Sequence, residues 1–239
     1  MRTDHIIIIA CVALAVVICL CLAIANNGYE KFLATWQKYN KMGLEIGDYM
    51  TPELFVNQIN TEKFASSLQV LMISTIAGDA YSKGKLFLST STLSSNSIAS
   101  YTVIAHEIGH AEQDRDGKKI KTLNFLRRLG RFVGVFFWPL IILGVIFLII
   151  SQDLFLAGVI VLASAVAIFL LSLIIKFITI SIEKDASKKA ISYLKLVMND
   201  EEIKCAKKLL NDAKLTYWAD FFRSLFAWTF MTRKTKMFN

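Results

Sequence analysis

Hydrophobic and polar positions divide the chain into long blocks. Residues 6 to 25, IIIIACVALAVVICLCLAIA, are uncharged and mostly apolar over twenty positions, enough to cross a bilayer as a helix. Ala23 and Ala25 also form a small-x-small pattern suited to signal-peptide cleavage, but the run is longer than a signal core and reads as a retained anchor. Residues 132 to 150 form a second uncharged run, about 28 Å long as a helix. Ser151-Gln152-Asp153 is a minimal turn, and residues 154 to 175 form a further span with Lys176 placed to snorkel. The last two runs predict a helical hairpin.

Between and after these runs the pattern is that of short polar elements. Thr51-Pro52-Glu53 reads as a helix start, with a helix through about Asn60 that packs Leu54, Phe55 and Ile59. LQVLMISTI at 68 to 76 predicts a strand, GDAYSKG a turn and KLFLS a second strand, together a small β-hairpin. Its edge suits an extended peptide. STSTLSSNS supplies capping serines for a helix from Ile98 to Asp114, with Asp116-Gly117 as its stop. Residues 200 to 216 predict an amphipathic helix capped by Asn199 or Asp200. YWADFFRSLFAWTFM, which contains Asp220 and Arg223, is too short to span and reads as an interfacial or groove-packed helix.

Composition sharpens this picture. Of 239 residues 55% are hydrophobic and the formal charge is +8, a combination that places the chain in a lipid bilayer. The cations cluster beside apolar runs: Arg115, Lys118, Lys119, Lys121, Arg127, Arg128 and Arg131 precede the hairpin. Such clusters mark cytoplasmic flanks and explain the basic charge without a nucleic-acid partner. The hairpin loop holds no basic residue and both open ends do, so the loop lies outside and the polar segments lie in the cytoplasm. The first helix then starts outside, and Lys31, Lys38 and Lys41 against Arg2 agree. Cys11, Cys19 and Cys21 sit inside the first apolar run and Cys205 stands alone, which excludes a disulfide framework and a cysteine metal site.

The chemistry concentrates in AHEIGHA, residues 105 to 111. His106 and His110, four apart on a helix, point the same way and can share one metal ion. Glu107 lies beside it as a general base toward a metal-activated water. Zinc fits two neutral imidazoles and an open position. A third ligand is needed, and the spare histidine, His5, stands at the far end of the first apolar run. Glu112 points off the histidine face, and Asp114 and Asp116 lie too far along the axis. Glu183 and Asp185, just past the third apolar run, are the best-placed acids. Tyr217, Tyr101 and Tyr193 are candidates for stabilising the oxyanion.

AHEIGHAEQDRDG, the preceding LSTSTLSSNSIAS, the two membrane runs, EKDAS and AKKLLNDAKLTYWA, in this order, resemble the bacterial membrane-bound neutral zinc metallopeptidases of the YugP-like family, from about Tyr29 to Trp228. Lys184 departs from the aromatic residue of that pattern, and the turn before the second strand is altered. The resemblance implies Zn2+ held by His106, His110 and Glu183, with Glu107 as base. It leaves any supporting role to Asp185, since Ser187 occupies the position where related membrane zincins carry an acid. The implied fold is a mainly α membrane protein: three transmembrane helices with a zincin-like cytoplasmic head containing the small β-hairpin and the HExxH helix. Its parts would be an anchor at 1–26, the head at 27–131, the helical hairpin at 132–180 and cytoplasmic helices at 181–239 that complete the site. The implied activity is zinc-dependent endopeptidase action on membrane proteins or membrane-proximal segments, in a multi-pass cell-membrane protein with its site facing the cytoplasm. The rival is a non-catalytic zinc-containing membrane adaptor, which would not need the glutamate of HExxH.

Overall fold

The computed structural model describes residues 3–45, 49–74, 78–117 and 119–226. Helix α1 (Thr3–Asn40) carries the first apolar run and continues without a break into the polar segment. Most side chains of that run lie outside the described residues. Helix α2 (Pro52–Phe64) starts as expected, with the Thr51 side chain accepting from the Leu54 amide, and it continues four residues past Asn60. Phe55, Val56 and Ile59 are buried but Leu54 is 51% exposed, so its expected packing is corrected. The buried stripe centres on positions 55, 56 and 59, and residue 54 lies about 200° round the helix from 56.

The expected two-stranded hairpin is a three-stranded sheet. β1 (Gln69–Ile73), β2 (Ala80–Ser82) and β3 (Lys85–Ser89) lie in the order β1-β3-β2. β1 runs parallel to β3, from Gln69 opposite Lys85 to Ile73 opposite Ser89. The true hairpin joins β2 to β3 through Lys83 (φ 51) and Gly84 (φ 78). Two successive residues at positive φ make the tight turn whose twist matches antiparallel strands, so the expected turn itself contains a strand. Leu86 and Leu88 alternate into the core and are fully buried.

After the short α3 (Thr90–Ser94) comes α4 (Ile98–Arg115), capped by the Ser97 side chain. Helix α5 (Lys119–Ile150) joins the basic run and the second apolar run in one helix. A 3-10 turn, Gln152–Leu154, leads to α6 (Phe155–Leu194), which extends nineteen residues beyond 175. Helix α7 (Asp200–Phe226) is capped by Asn199, whose Oδ1 accepts from the Glu201 and Glu202 amides.

Among the described residues two stretches, Lys119–Ile150 and Gln152–Leu194, are long and apolar enough to cross a membrane. They pack on each other where glycines allow it. A Cβ on Gly144 would lie 2.7 Å from Leu162 Cγ, and one on Gly158 would lie 3.0 Å from the Gly144 carbonyl oxygen. The main core surrounds α4 and includes Phe55, Ile59, Leu86, Leu88, Ile104, Ile108, Leu194 and Leu209. At its far end α7 lays Phe221 among Phe137, Trp138, Phe169 and Leu173 of the hairpin. That is the groove-packed form of the aromatic stretch up to Phe222; the side chains of residues 223–226 and all of residues 227–231 lie outside the described residues.

Candidate metal centre

The site begins with the position of α4. Ile98, Tyr101, Ile104, Ala105 and Ile108 bury one side of this helix in the core, which turns His106 and His110 together toward α6. Their ring centroids are 4.8 Å apart. Gly109 sets the distance to α6: a Cβ there would lie 2.6 Å from the Ala186 carbonyl oxygen, so the two backbones touch at this point. Glu183, one turn before Ala186, is thereby held against both histidines. Its Oε2 lies 3.3 Å from His106 Nε2 and 3.3 Å from His110 Nε2. One ligand atom from each residue falls within a 4.8 Å cluster.

Glu183 is 1% exposed. Burial raises its pKa, but the hydrogen-bonded His106 and His110 and the charges of His110 and Arg127 prevail and hold it well below the usual carboxylate range. Arg127 Nη2 donates to Oε1 at 2.6 Å and the Tyr217 hydroxyl donates to Oε2 at 2.8 Å. For His110, burial lowers the pKa and is outweighed by Glu183 and Glu107, so the net direction is up.

A hydrogen-bonded chain orients His110. Gln113 Nε2 donates to the Ile182 carbonyl (2.9 Å) and to Asp185 Oδ2 (2.8 Å). With its amide nitrogen committed to two acceptors, Gln113 turns Oε1 to His110 Nδ1 at 3.0 Å. Nδ1 therefore carries the hydrogen, and the Nε2 lone pair faces the cluster. Lys119 Nζ donates to the same Asp185 oxygen at 2.9 Å. Among the described residues His106 Nδ1 is buried without a partner.

Glu107 is held by the sheet. Its Oε2 accepts the Tyr81 backbone N–H of β2 at 2.7 Å. The Tyr81 hydroxyl donates to Asp114 Oδ2 at 2.8 Å, seven residues further along the same face of α4. The cluster opens on a cleft of about 250 Å³ whose walls include Phe32 and Trp36 of α1, Ile120, Leu123 and Arg127 of α5, and Leu209, Leu210 and Tyr217 of α7.

The structure thus brings together His106, Glu107, His110 and Glu183. It sends Asp185 to Gln113 instead of to the histidines. Of the three tyrosines considered for the oxyanion, Tyr217 lies at the cluster. Tyr101 is fully buried and donates to the Met50 carbonyl, and Tyr193 donates to Glu112. Sequence reasoning missed Gln113, Tyr81 and Arg127. Gln113 had a signal, since it stands three residues after His110 on the same helix face. Arg127 had none beyond its charge, which also serves membrane topology.

Two imidazole nitrogens, one carboxylate oxygen and an adjacent second carboxylate make a donor set suited to a single divalent cation of zinc's softness, as in hydrolases that activate water. Residues 6–233 match the family described as "putative neutral zinc metallopeptidase", and the chain belongs to that family. No curated protein and no solved structure matches the chain.

Proposed function

We propose that the protein is an integral-membrane zinc endopeptidase of the cell membrane whose site faces the cytoplasm and whose substrates are membrane proteins or membrane-proximal segments. The observation that carries this reading is the convergence of His106 Nε2, His110 Nε2 and Glu183 Oε2, with Glu107 fixed beside them by the Tyr81 amide.

His106, His110 and Glu183 would hold the ion, and when bound there zinc supplies Lewis acidity toward a peptide carbonyl and an acidified water. Glu107 Oε2 accepts the Tyr81 N–H, so Oε1 would be the oxygen turned to take a proton from water and pass it to the leaving amine. The amide bond also keeps the carboxylate from swinging into the ligand cluster. Tyr217 is placed to move its hydroxyl from Glu183 to the developing oxyanion. Arg127 occupies the far oxygen of Glu183, leaving Oε2 for the ion.

The apolar walls of the cleft favour an uncharged, apolar stretch of substrate. Apolar residues resume after Lys176, and Glu183 stands three residues past Ile180, about 5 Å along the helix axis, which supports a substrate close to the bilayer. The basic flanks at both open ends of the hairpin support a cytoplasmic site.

Zinc content and peptide hydrolysis of the protein purified in neutral detergent test the reading. About one zinc per chain is expected. Glu107→Gln should keep its zinc and lose at least about 100-fold in hydrolysis, because it deletes the base and no ligand. Glu183→Ala should lose the zinc itself. Zinc bound by wild type without peptide hydrolysis would point to the adaptor instead, and full hydrolysis by Glu107→Gln would remove Glu107 as the base. Zinc retained by Glu183→Ala and lost by Asp185→Ala would move the third ligand two residues downstream.

A further inference from the structure

Away from the metal centre, α6 and α7 border a second, shallow groove of about 300 Å³. Lys184 and Lys188 stand on its α6 wall, and Lys207, Asn211 and Lys214 on its α7 wall. The spacing is four residues on one helix and four and three on the other, so each set forms a row along one helix face. Ile191 and Leu210 add apolar surface to the groove. Among the described residues no carboxylate pairs with any of the four ammonium groups, although other lysines nearby find partners: Lys189 of α6 sits 2.7 Å from Glu112, and Lys119 of α5 sits 2.9 Å from Asp185. Lys214 is half-buried, and its ammonium donates to the Asn211 amide oxygen at 2.7 Å. Burial and then the charges of Lys184 and Lys188 lower its pKa. Lys184, Lys188 and Lys207 are exposed and Lys214 is half-buried, so four like charges line one groove and present it to an anion.

The height of the groove names the anion. Trp218 of α7 packs on Phe177 of α6 with ring centroids 5.2 Å apart, at the end of the membrane-crossing part of α6. Lys214 is one turn above Trp218, and Lys184 is four residues beyond Ile180, about 6 Å in each case. The headgroup layer occupies roughly 5–8 Å outside the hydrocarbon core. Lys184 and Lys214 therefore sit level with lipid phosphates.

We propose that the membrane-side end of this groove is a binding site for the phosphate headgroup of an anionic phospholipid, with Lys184 and Lys214 at the phosphate and Lys188 and Lys207 farther out along the groove, toward the polar end of the headgroup. The site rests on the membrane reading of the chain and is independent of peptide hydrolysis. It would tie α6, which carries Glu183, to α7, which carries Tyr217, at the bilayer surface.

The test compares wild type with a groove variant, K184Q/K188Q/K207Q/K214Q, and a charge-matched control, K41Q/K63Q/K85Q/K195Q, all in neutral detergent. Thermal midpoints are read on adding short-chain phosphatidylglycerol, short-chain phosphatidylcholine or inorganic phosphate. Wild type and control should be stabilised by phosphatidylglycerol and not by phosphatidylcholine. The groove variant should need at least about tenfold more phosphatidylglycerol for the same shift. Without lipid it should melt no lower than wild type, since repelling charges have been removed, and it should keep its zinc, which separates this outcome from a failure of the metal centre. An equal lipid response in the groove variant, an equal loss in the control, or a midpoint collapse of the lipid-free groove variant would overturn the proposal. Stabilisation by inorganic phosphate alone to the same extent would replace the lipid with a free anion.

Discussion

Gln113 illustrates how much of the site is decided by a single neutral side chain. Its amide nitrogen is held by the Ile182 carbonyl and Asp185, which leaves only its oxygen for His110. Removing that acceptor frees the imidazole to rotate or to change tautomer. Gln113→Leu should therefore weaken zinc binding on the order of 10- to 100-fold, measured by competition with a chromophoric chelator. Asp185→Ala should cost less, because the Ile182 carbonyl still fixes the Gln113 amide. Equal effects would mean that Asp185 reaches the metal by another route. Tyr217→Phe belongs to the same scale and has a different signature. It should keep zinc and lower kcat on the order of 10²-fold with little change in KM, since its hydroxyl serves the oxyanion and not the bound ground state.

Between elements, the contact of Gly109 with Ala186 carries the site. The atom that a methyl group would strike is a backbone oxygen, which cannot swing aside as a side chain could. Gly109→Ala should separate α4 from α6, costing about 1–3 kcal/mol, and should lower zinc occupancy because the histidines and Glu183 sit on opposite sides of that contact. Gly134 on α5 is the control, since nothing lies within 4 Å of a Cβ added there, and Gly134→Ala should leave the midpoint unchanged or raised. Thermal midpoints and metal content of the two variants decide it: equal damage from both would remove the close approach as the cause. The α4–α6 pairing is secured further along by Lys189, which bridges Glu112 and Asp116, and by the Tyr193 hydroxyl on Glu112. Glu112, passed over as a ligand because of its direction, acts in this clamp.

At the scale of the molecule, the polar core and the apolar helical hairpin share helices. α5 delivers Arg127 and α6 delivers Glu183 to the site before or after crossing the apolar region, and α7 returns to lay Phe221 on Phe169 at 6.3 Å between ring centroids. A topology error would therefore displace the site itself. In a cysteine-free background, a cysteine at Gln152 should react with an impermeant thiol reagent applied outside the cell, and a cysteine at Lys195 only after permeabilisation. The reverse pattern would put the metal centre outside.

Much of this was legible along the chain because it depends on neighbours in sequence. Apolar runs of 19 to 22 residues, the i, i+4 geometry of His106 and His110, and the caps at Thr51 and Asn199 follow from local pattern and local hydrogen bonding. Strands β1 and β3 were found but β2 and the pairing were not, because the parallel partner of β1 is chosen by which surface buries Leu86 and Leu88, a contact between distant segments. The choice between Glu183 and Asp185 belongs to the same class. Both lie on one helix two residues apart, about 200° round the axis from each other, so the rotation of α6 against α4 decides which one meets the histidines. That rotation is set where Gly109 lets the Ala186 backbone approach, and by the Gln113 amide that engages the Ile182 carbonyl and Asp185. Arg127 and Tyr217 reach Glu183 for the same reason. Sequence specifies the face a residue occupies on its own helix, and only the packing of helices specifies what that face meets.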